Sequence, residues 1–124
     1  ELPALMRAQK VQHKAAKVGF DWDDVSGAVD KLYEEINELK TAVSDNVKSE
    51  IEDEFGDVLF SCVNIARFLD VDSEEALTGA TDKFVSRFST VEQLARERGI
   101  DMNSAGIDEL DKLWDEAKKI KKAE

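Results

Sequence analysis

Hydrophobic positions recur along this chain with the spacing of helices and nowhere with the alternation of strands. Leu2, Leu5, Met6, Val11, Ala15 and Val18 form the first run. Pro3 stands where a missing N–H costs a helix nothing, and Gly19 marks the end. The segment from Gly19 to Asp24 is a loop with two aromatic residues, after which Asp23, Asp24 or Ser26 can cap the next helix. Val29, Leu32, Tyr33, Ile36, Leu39 and Val43 make one stripe and predict a helix over residues 25–43. The pattern lapses from Thr41 to Asn46 and resumes with Val47, Ile51, Phe55, Val58, Leu59, Cys62, Ile65, Ala66 and Leu69, a longer third helix. Gly56 lies inside it at a cost of about 1 kcal/mol relative to alanine. It is either a tolerated glycine or a place where backbone or ligand comes close. Asp72, with Glu75 three residues on, resembles a capping arrangement ahead of a fourth helix carrying Ala76, Leu77, Ala80, Phe84, Phe88, Val91 and Leu94 and ending at Arg98-Gly99. After a loop over 100–107, Leu110, Leu113 and Trp114 predict a short fifth helix over about 108–120. The fold class is all-α.

Length and composition sharpen this picture. The 124 residues suit a single domain, 1–124, with one core. The chain begins at Glu1 rather than at a methionine, as a fragment or a processed product would. A net charge of −11 argues against polymeric nucleic acid and against anionic membrane surfaces as partners. It leaves open a polyanionic small molecule whose charge is offset by divalent cations. The single Cys62 has no internal disulfide partner, and its neighbours Leu59, Val63 and Ala66 predict a buried thiol in a reducing compartment. With no apolar run near the ~20 residues of a membrane span and no signal peptide, the expected location is the cytoplasm.

Two acid pairs carry the candidate chemistry. Glu35-x-x-Glu38 lies in the second helix and Glu54-x-x-Asp57 in the third, and residues three apart share a helical face. If the two helices are antiparallel, the midpoint between Glu38 and Glu54 and that between Glu35 and Asp57 both fall on residue 46, where the hydrophobic pattern breaks. Folding there sets four carboxylates on one patch. A helical wheel places Glu35 and Glu54 roughly 80–90° from the centre of each apolar stripe, at the border of the seam. Crowded like charges raise one another's pKa unless a cation compensates them. An all-oxygen set points to Mg²⁺ or Mn²⁺ rather than zinc. A di-iron bundle would need Glu-x-x-His pairs, and the only histidine, His13, is in none; Asp70-Val71-Asp72 begins like a calcium loop but continues with Glu75 and Thr81 at the wrong places. The plainer reading of the acids is a solvated acidic face.

Other residues fit the same chemistry, each with a plainer alternative. Lys83 and Arg87, four apart beside Phe84 and Phe88, suit the outer phosphates of a metal-bound triphosphate, or are ordinary surface cations. Ser61 and Asn64 share an edge with Asp57 and could orient metal-bound water, or are harmless border residues. Trp22 and Trp114 are candidates for stacking on a base, or belong to the core. Glycine-rich phosphate loops and serine or cysteine nucleophile sets are absent. Any hydrolysis must therefore use water activated by metal and a carboxylate, with Glu38 or Glu35 as the base.

In this order, Glu35-x-x-Glu38 and Glu54-x-x-Asp57 resemble the metal motif of the all-α pyrophosphohydrolases, the superfamily of MazG, the dimeric dUTPases and the phosphoribosyl-ATP pyrophosphohydrolases. Val18-Gly19-Phe20-Asp21-Trp22, Asp30-Lys31-Leu32-Tyr33-Glu34-Glu35, Asp53 to Phe60, Lys83-Phe84-x-x-Arg87-Phe88 and the late Trp114 are similar to the MazG branch. The resemblance covers nearly the whole chain. It implies a four-helix-bundle-like domain with a short extra C-terminal helix, assembled as a homodimer. It also implies hydrolysis of a nucleoside triphosphate to the monophosphate and pyrophosphate. By the same resemblance Glu35, Glu38, Glu54 and Asp57 bind magnesium (with manganese able to substitute), Lys83 and Arg87 contact phosphates, and Trp114 lies by the nucleotide. The opening Leu2 to Ala8 looks like the start of the second of two tandem MazG domains. One departure is Thr81, where the family often has asparagine. The competing readings are a non-catalytic domain that binds nucleotide or a partner through its acidic faces, and an acidic helical oligomerisation module without metal dependence.

Overall fold

The computed structural model describes residues 1–123 and, among them, holds five α-helices and no strand: α1 Ala4–Lys17, α2 Val25–Asp45, α3 Lys48–Phe68, α4 Ser73–Glu97 and α5 Ile107–Ala123. Local chemistry accounts for the boundaries. Asp24 caps α2 by accepting from the Ser26 N–H at 2.9 Å. Asp72 accepts from the Glu75 N–H at 3.0 Å across the first turn of α4. The lapse in hydrophobic pattern after Thr41 does not end α2. The Thr41 hydroxyl donates to the Asn37 carbonyl, Ala42 is buried, and the helix runs to Asp45. Reversal comes at Asn46, in the left-handed region at φ 56°, where its N–H reaches the Ala42 and Val43 carbonyls. Asparagine tolerates that conformation better than other non-glycine residues.

The chain forms two compact units, Glu1–Ala76 and Leu77–Glu124. In the first, α2 and α3 pack as a hairpin and α1 lies against α3. Its buried apolar residues include Ala28, Ala42 and Val63, but Gln12, Glu35, Ser61 and Asn64 are buried with them. A core this polar is unusual, since each buried polar group must find a partner or cost stability. Gln9 on α1 ties down the segment after α3: its Nε2 donates to the Val71 carbonyl and its Oε1 accepts from the Ser73 N–H, both at 2.9 Å. In the second unit Val91, Ala95, Leu113 and Ala117 form a core, with Leu94, Ile100, Met102, Leu110 and Trp114 around it. Arg98 and Glu116 pair across it, but both are half exposed, so solvent screens the pair and it adds little to stability. Neither unit alone contains a four-helix bundle; what holds of the expected fold is its all-helical character.

Cys62 is exposed, not buried as its neighbours suggested. The side of α3 that meets the rest of the unit is taken by Ser61, Val63 and Asn64, all buried. Cys62 continues instead the stripe of Phe55 and Leu59, which are 51% and 46% exposed. The long apolar run of α3 thus divides into a buried seam and an open face, and Tyr33 and Val43 of α2 are also largely open. No helix among the described residues is long and apolar enough to cross a membrane.

Candidate active site

The turn at Asn46 brings the acids of α2 and α3 together. One carboxylate oxygen from each of Glu35, Glu54 and Asp57 lies within 4.8 Å of the others, and Glu34, Glu35 and Glu38 form a second such group. Glu35 belongs to both, and Glu38 lies close enough to Glu54 to help raise its carboxyl. Glu35 is 5% exposed. Its Oε1 accepts from Lys31 Nζ at 3.0 Å, while its Oε2 is buried with no hydrogen-bond partner among the described residues. Oε2 of Glu54 is stranded in the same way.

The electrostatics follow from this crowding. Burial pushes the Glu54 carboxyl above its ordinary value of 4.5, with Glu38, Asp57 and Glu35 adding to the rise. Asp57 is raised above 3.8, again by burial first and then by Asp53 and Glu35, with Lys31 opposing. Lys31 is itself raised, chiefly by its hydrogen bond to Glu35. One ammonium faces several carboxylates. Two buried oxygens lack partners, and no nitrogen or sulfur ligand stands among these acids. That donor set fits a hard divalent cation.

A cavity of about 460 Å³ opens beside the acids and is lined by Lys31, Glu35 and Asp57. Its other walls are aromatic and polar: Phe20, Trp22 and Phe60, with Gln12, Ser61 and Asn64. The loop carrying Phe20 and Trp22 is tied to α3. Arg67 donates through Nη1 and Nη2 to the two Asp21 oxygens, each at 2.8 Å, and through Nη2 to Asn64 Oδ1 at 3.0 Å. This guanidinium holds the Asp21 carboxyl below its ordinary value. Trp22 rests on the start of α2 at Gly27, where a Cβ would come within 2.6 Å of the indole, so a side chain there would displace the ring.

The second unit holds the other expected residues. The Arg87 guanidinium lies 5.9 Å from the Trp114 ring centre. Phe84 lies 5.3 Å from the same ring and stacks on Phe88 at 5.9 Å. Arg87 also lines a hollow of about 290 Å³ with Asp115, Lys118 and Lys119. Lys83 is exposed on α4. The structure therefore brings Glu35, Glu38, Glu54 and Asp57 together with Trp22 near by, and separately Arg87 with Trp114.

Ser61 and Asn64 prove to be buried in the cavity wall. Around Gly56 nothing among the described residues lies within 4 Å of where a Cβ would stand, so no close approach by them explains it. Sequence reasoning overlooked Gln12 and Arg67, and it named Lys31 and Asp21 only within motifs, without a role. Lys31 was detectable, four residues before Glu35. The Asp21–Arg67 pair spans 46 positions and leaves no local signal.

A family model, the MazG nucleotide pyrophosphohydrolase domain, matches residues 23–92. The chain is 47% identical over 117 residues to the nucleoside triphosphate pyrophosphohydrolase/pyrophosphatase MazG of Thermotoga maritima, covering 94% of this chain and 45% of that protein. It is 44% identical over 122 residues to the nucleoside triphosphate pyrophosphohydrolase of Escherichia coli strain K12, covering 95% of this chain and 46% of that protein. The chain thus spans less than half the length of these curated relatives.

The raised carboxyls have a consequence for stability. Because Glu54 and Asp57 bind protons more tightly in the native state, the metal-free protein is favoured below their ordinary values of 4.5 and 3.8. It loses that advantage as pH rises through the elevated native values. In EDTA at pH 7, Glu54→Gln is therefore expected to melt a few degrees above wild type, with the gap closing toward about pH 4. Thermal melts followed by circular dichroism check this; a variant that melts at or below wild type at pH 7 contradicts it.

Proposed function

The chain belongs to the MazG nucleotide pyrophosphohydrolase domain family, and from that premise we propose that it hydrolyses nucleoside triphosphates, ribo or deoxyribo, to the monophosphate and pyrophosphate. Mg²⁺, or Mn²⁺ in its place, is held by Glu35, Glu38, Glu54 and Asp57. The observation that carries this reading is the convergence of Glu35, Glu54 and Asp57 within 4.8 Å, with two buried oxygens lacking partners. When bound, the cation offsets the charge of acids and triphosphate alike and makes water easier to deprotonate. Of the two acids expected to accept the proton of the attacking water, Glu35 already gives Oε1 to Lys31, whereas Glu38 is exposed. We assign Glu38 as the base and Glu35 as the anchor that Lys31 holds in place. Trp22 offers a face for the base, Lys83 and Arg87 contact phosphates, and Trp114 lies by the nucleotide.

The assembly follows from the same reading. Phe55, Leu59 and Cys62 leave an open apolar stripe on α3, which supports a homodimer. The family match over 23–92 runs through both compact units and supports one domain over the chain. The two relatives are more than twice as long as the matched stretch, and with the likeness of Leu2 to Ala8 to the start of a tandem domain we propose a second MazG domain as a partner in the full-length protein. We place the enzyme in the cytoplasm, where nucleoside triphosphates are abundant and a lone thiol stays reduced.

With Mg²⁺ the protein is expected to release pyrophosphate from nucleoside triphosphates, and with EDTA to release none. Glu38→Gln and Asp57→Asn should each lower turnover by about 100-fold or more while keeping the helical spectrum. Glu52→Gln, at an exposed acid outside both pairs, should stay within about twofold of wild type. Near wild-type rates in the first two variants would remove the chemistry from this site. Sedimentation equilibrium should give about twice the 13.9 kDa chain mass; a single-chain mass at micromolar concentration contradicts the dimer.

A further inference from the structure

One ion pair holds the middle of the loop between α1 and α2. The two terminal nitrogens of Arg67, on α3, each reach an Asp21 oxygen at 2.8 Å across 46 positions of sequence. The two side chains are only 13% and 20% exposed, so solvent screens the pair weakly and either partner left alone would be costly. Arg67 also donates to Asn64 Oδ1 and lies 4.8 Å from the Phe68 ring centre, while its Nε is buried with no partner among the described residues. The guanidinium is thus committed to the loop at the expense of its third donor. Little else holds the loop there. The Phe20 N–H bonds back to the Ala15 carbonyl of α1, and Asp24 caps α2. Between these ends, among the described residues, the hydrogen bonds that reach the loop from another helix come from Arg67 alone. Phe20 is 82% exposed and Trp22 39%, so apolar burial contributes modestly, chiefly where the indole rests on Gly27. Gly19, at φ 90°, joins the loop to α1 in a conformation that suits glycine.

We propose that Arg67 is a positioning residue: through Asp21 it latches this loop over the cavity beside the acids, and release of the latch opens the cavity to nucleotide. The inference rests on the nucleotide-hydrolase reading for what enters, and adds how entry is controlled. Phe20, Asp21, Trp22 and Arg67 all line that cavity, so the latch and the part it holds belong to the same wall. With a glycine at one end of the loop and a cap at the other, a swing needs no helix to unfold. It gives up only the two charge-assisted hydrogen bonds and the indole contact. A loop that closes over a substrate is held by a few such contacts, and their loss changes the population of the closed state, not the chemistry inside it. The hydrogen bonds of Arg67 go to Asp21 and Asn64 and not to the four acids, so the latch can be cut without removing a cation ligand.

Acrylamide quenching and steady-state kinetics test it together. In a Trp114→Phe background Trp22 is the only tryptophan, and its fluorescence reports the loop. Asp21→Asn and Arg67→Gln should each raise the quenching of Trp22 by about twofold or more, because the closed loop loses its bridge. With Trp114 intact and Mg²⁺ present, each should raise KM for nucleoside triphosphates by roughly tenfold while kcat stays within about threefold. The double variant should be no worse than the worse single one, since both changes cut the same bridge. Unchanged quenching or an unchanged KM in Asp21→Asn overturns the proposal, and so do penalties that multiply in the double variant. A merely structural role for Arg67 would show in its own variant and leave Trp22 of Asp21→Asn as in wild type. If Arg67→Gln fails to fold, Asp21→Asn alone decides. Pyrophosphate release with unchanged quenching leaves the hydrolase reading standing and removes only the latch. Raised quenching and weaker nucleotide binding by calorimetry, in a protein that releases no pyrophosphate, do the reverse.

Discussion

Repulsion among carboxylates at the α2–α3 seam is the constraint around which the first unit is arranged. Glu35 is buried, Glu54 has a buried oxygen, and neither oxygen left over has a protein partner. Packing that forces such a group out of water normally neutralises it or gives it a counter-charge. Here Lys31 answers one oxygen of Glu35, and among the described residues no second cation pairs with these acids. A fold that tolerates this in its most closely packed seam is poised for a cation, and the raised carboxyls of Glu54 and Asp57 record the same imbalance.

The rest of the unit follows from holding that seam in register. Asn46 takes the left-handed conformation that reverses the chain, and a one-residue shift there would turn the α3 acids away from those of α2. α1 brings almost no large apolar side chain to full burial; it contributes Gln12 and, through Gln9, a clamp on the segment after α3. The polar wall this creates lies next to aromatic residues on a loop fixed by Asp21 and Arg67. Stability has been given up in the core in exchange for a cavity with acid groups, a flat apolar surface and oriented amides in contact with one another.

Much of this was legible in the sequence, and for identifiable reasons. The five helices were visible because helical periodicity spans many residues and averages out single exceptions. The acid register was visible because two i, i+3 pairs shared a midpoint at a pattern break. Single-residue burial was harder. Cys62 looked like core because every apolar residue of α3 was assigned to one face, whereas the helix has a buried seam and an open stripe. Gln12 gave no sign at all: one glutamine in an apolar run reads as the solvent side, and only tertiary contact with Phe60 shows otherwise. The match of residues 23–92 to the family covers the acid pairs, Lys83 and Arg87 but stops short of Trp114 and starts after Gln12, so neither of these last two is supported by it.

The central claim is that the four acids form a cation site, and thermal melting with metal tests it most directly. A ligand that binds only the native state raises stability by mass action, and here it also removes like-charge repulsion. Millimolar Mg²⁺ or Mn²⁺ should raise the melting temperature of the wild-type protein in a concentration-dependent way, with EDTA reversing the effect. A melting temperature that stays the same in Mg²⁺, in Mn²⁺ and in EDTA contradicts the claim.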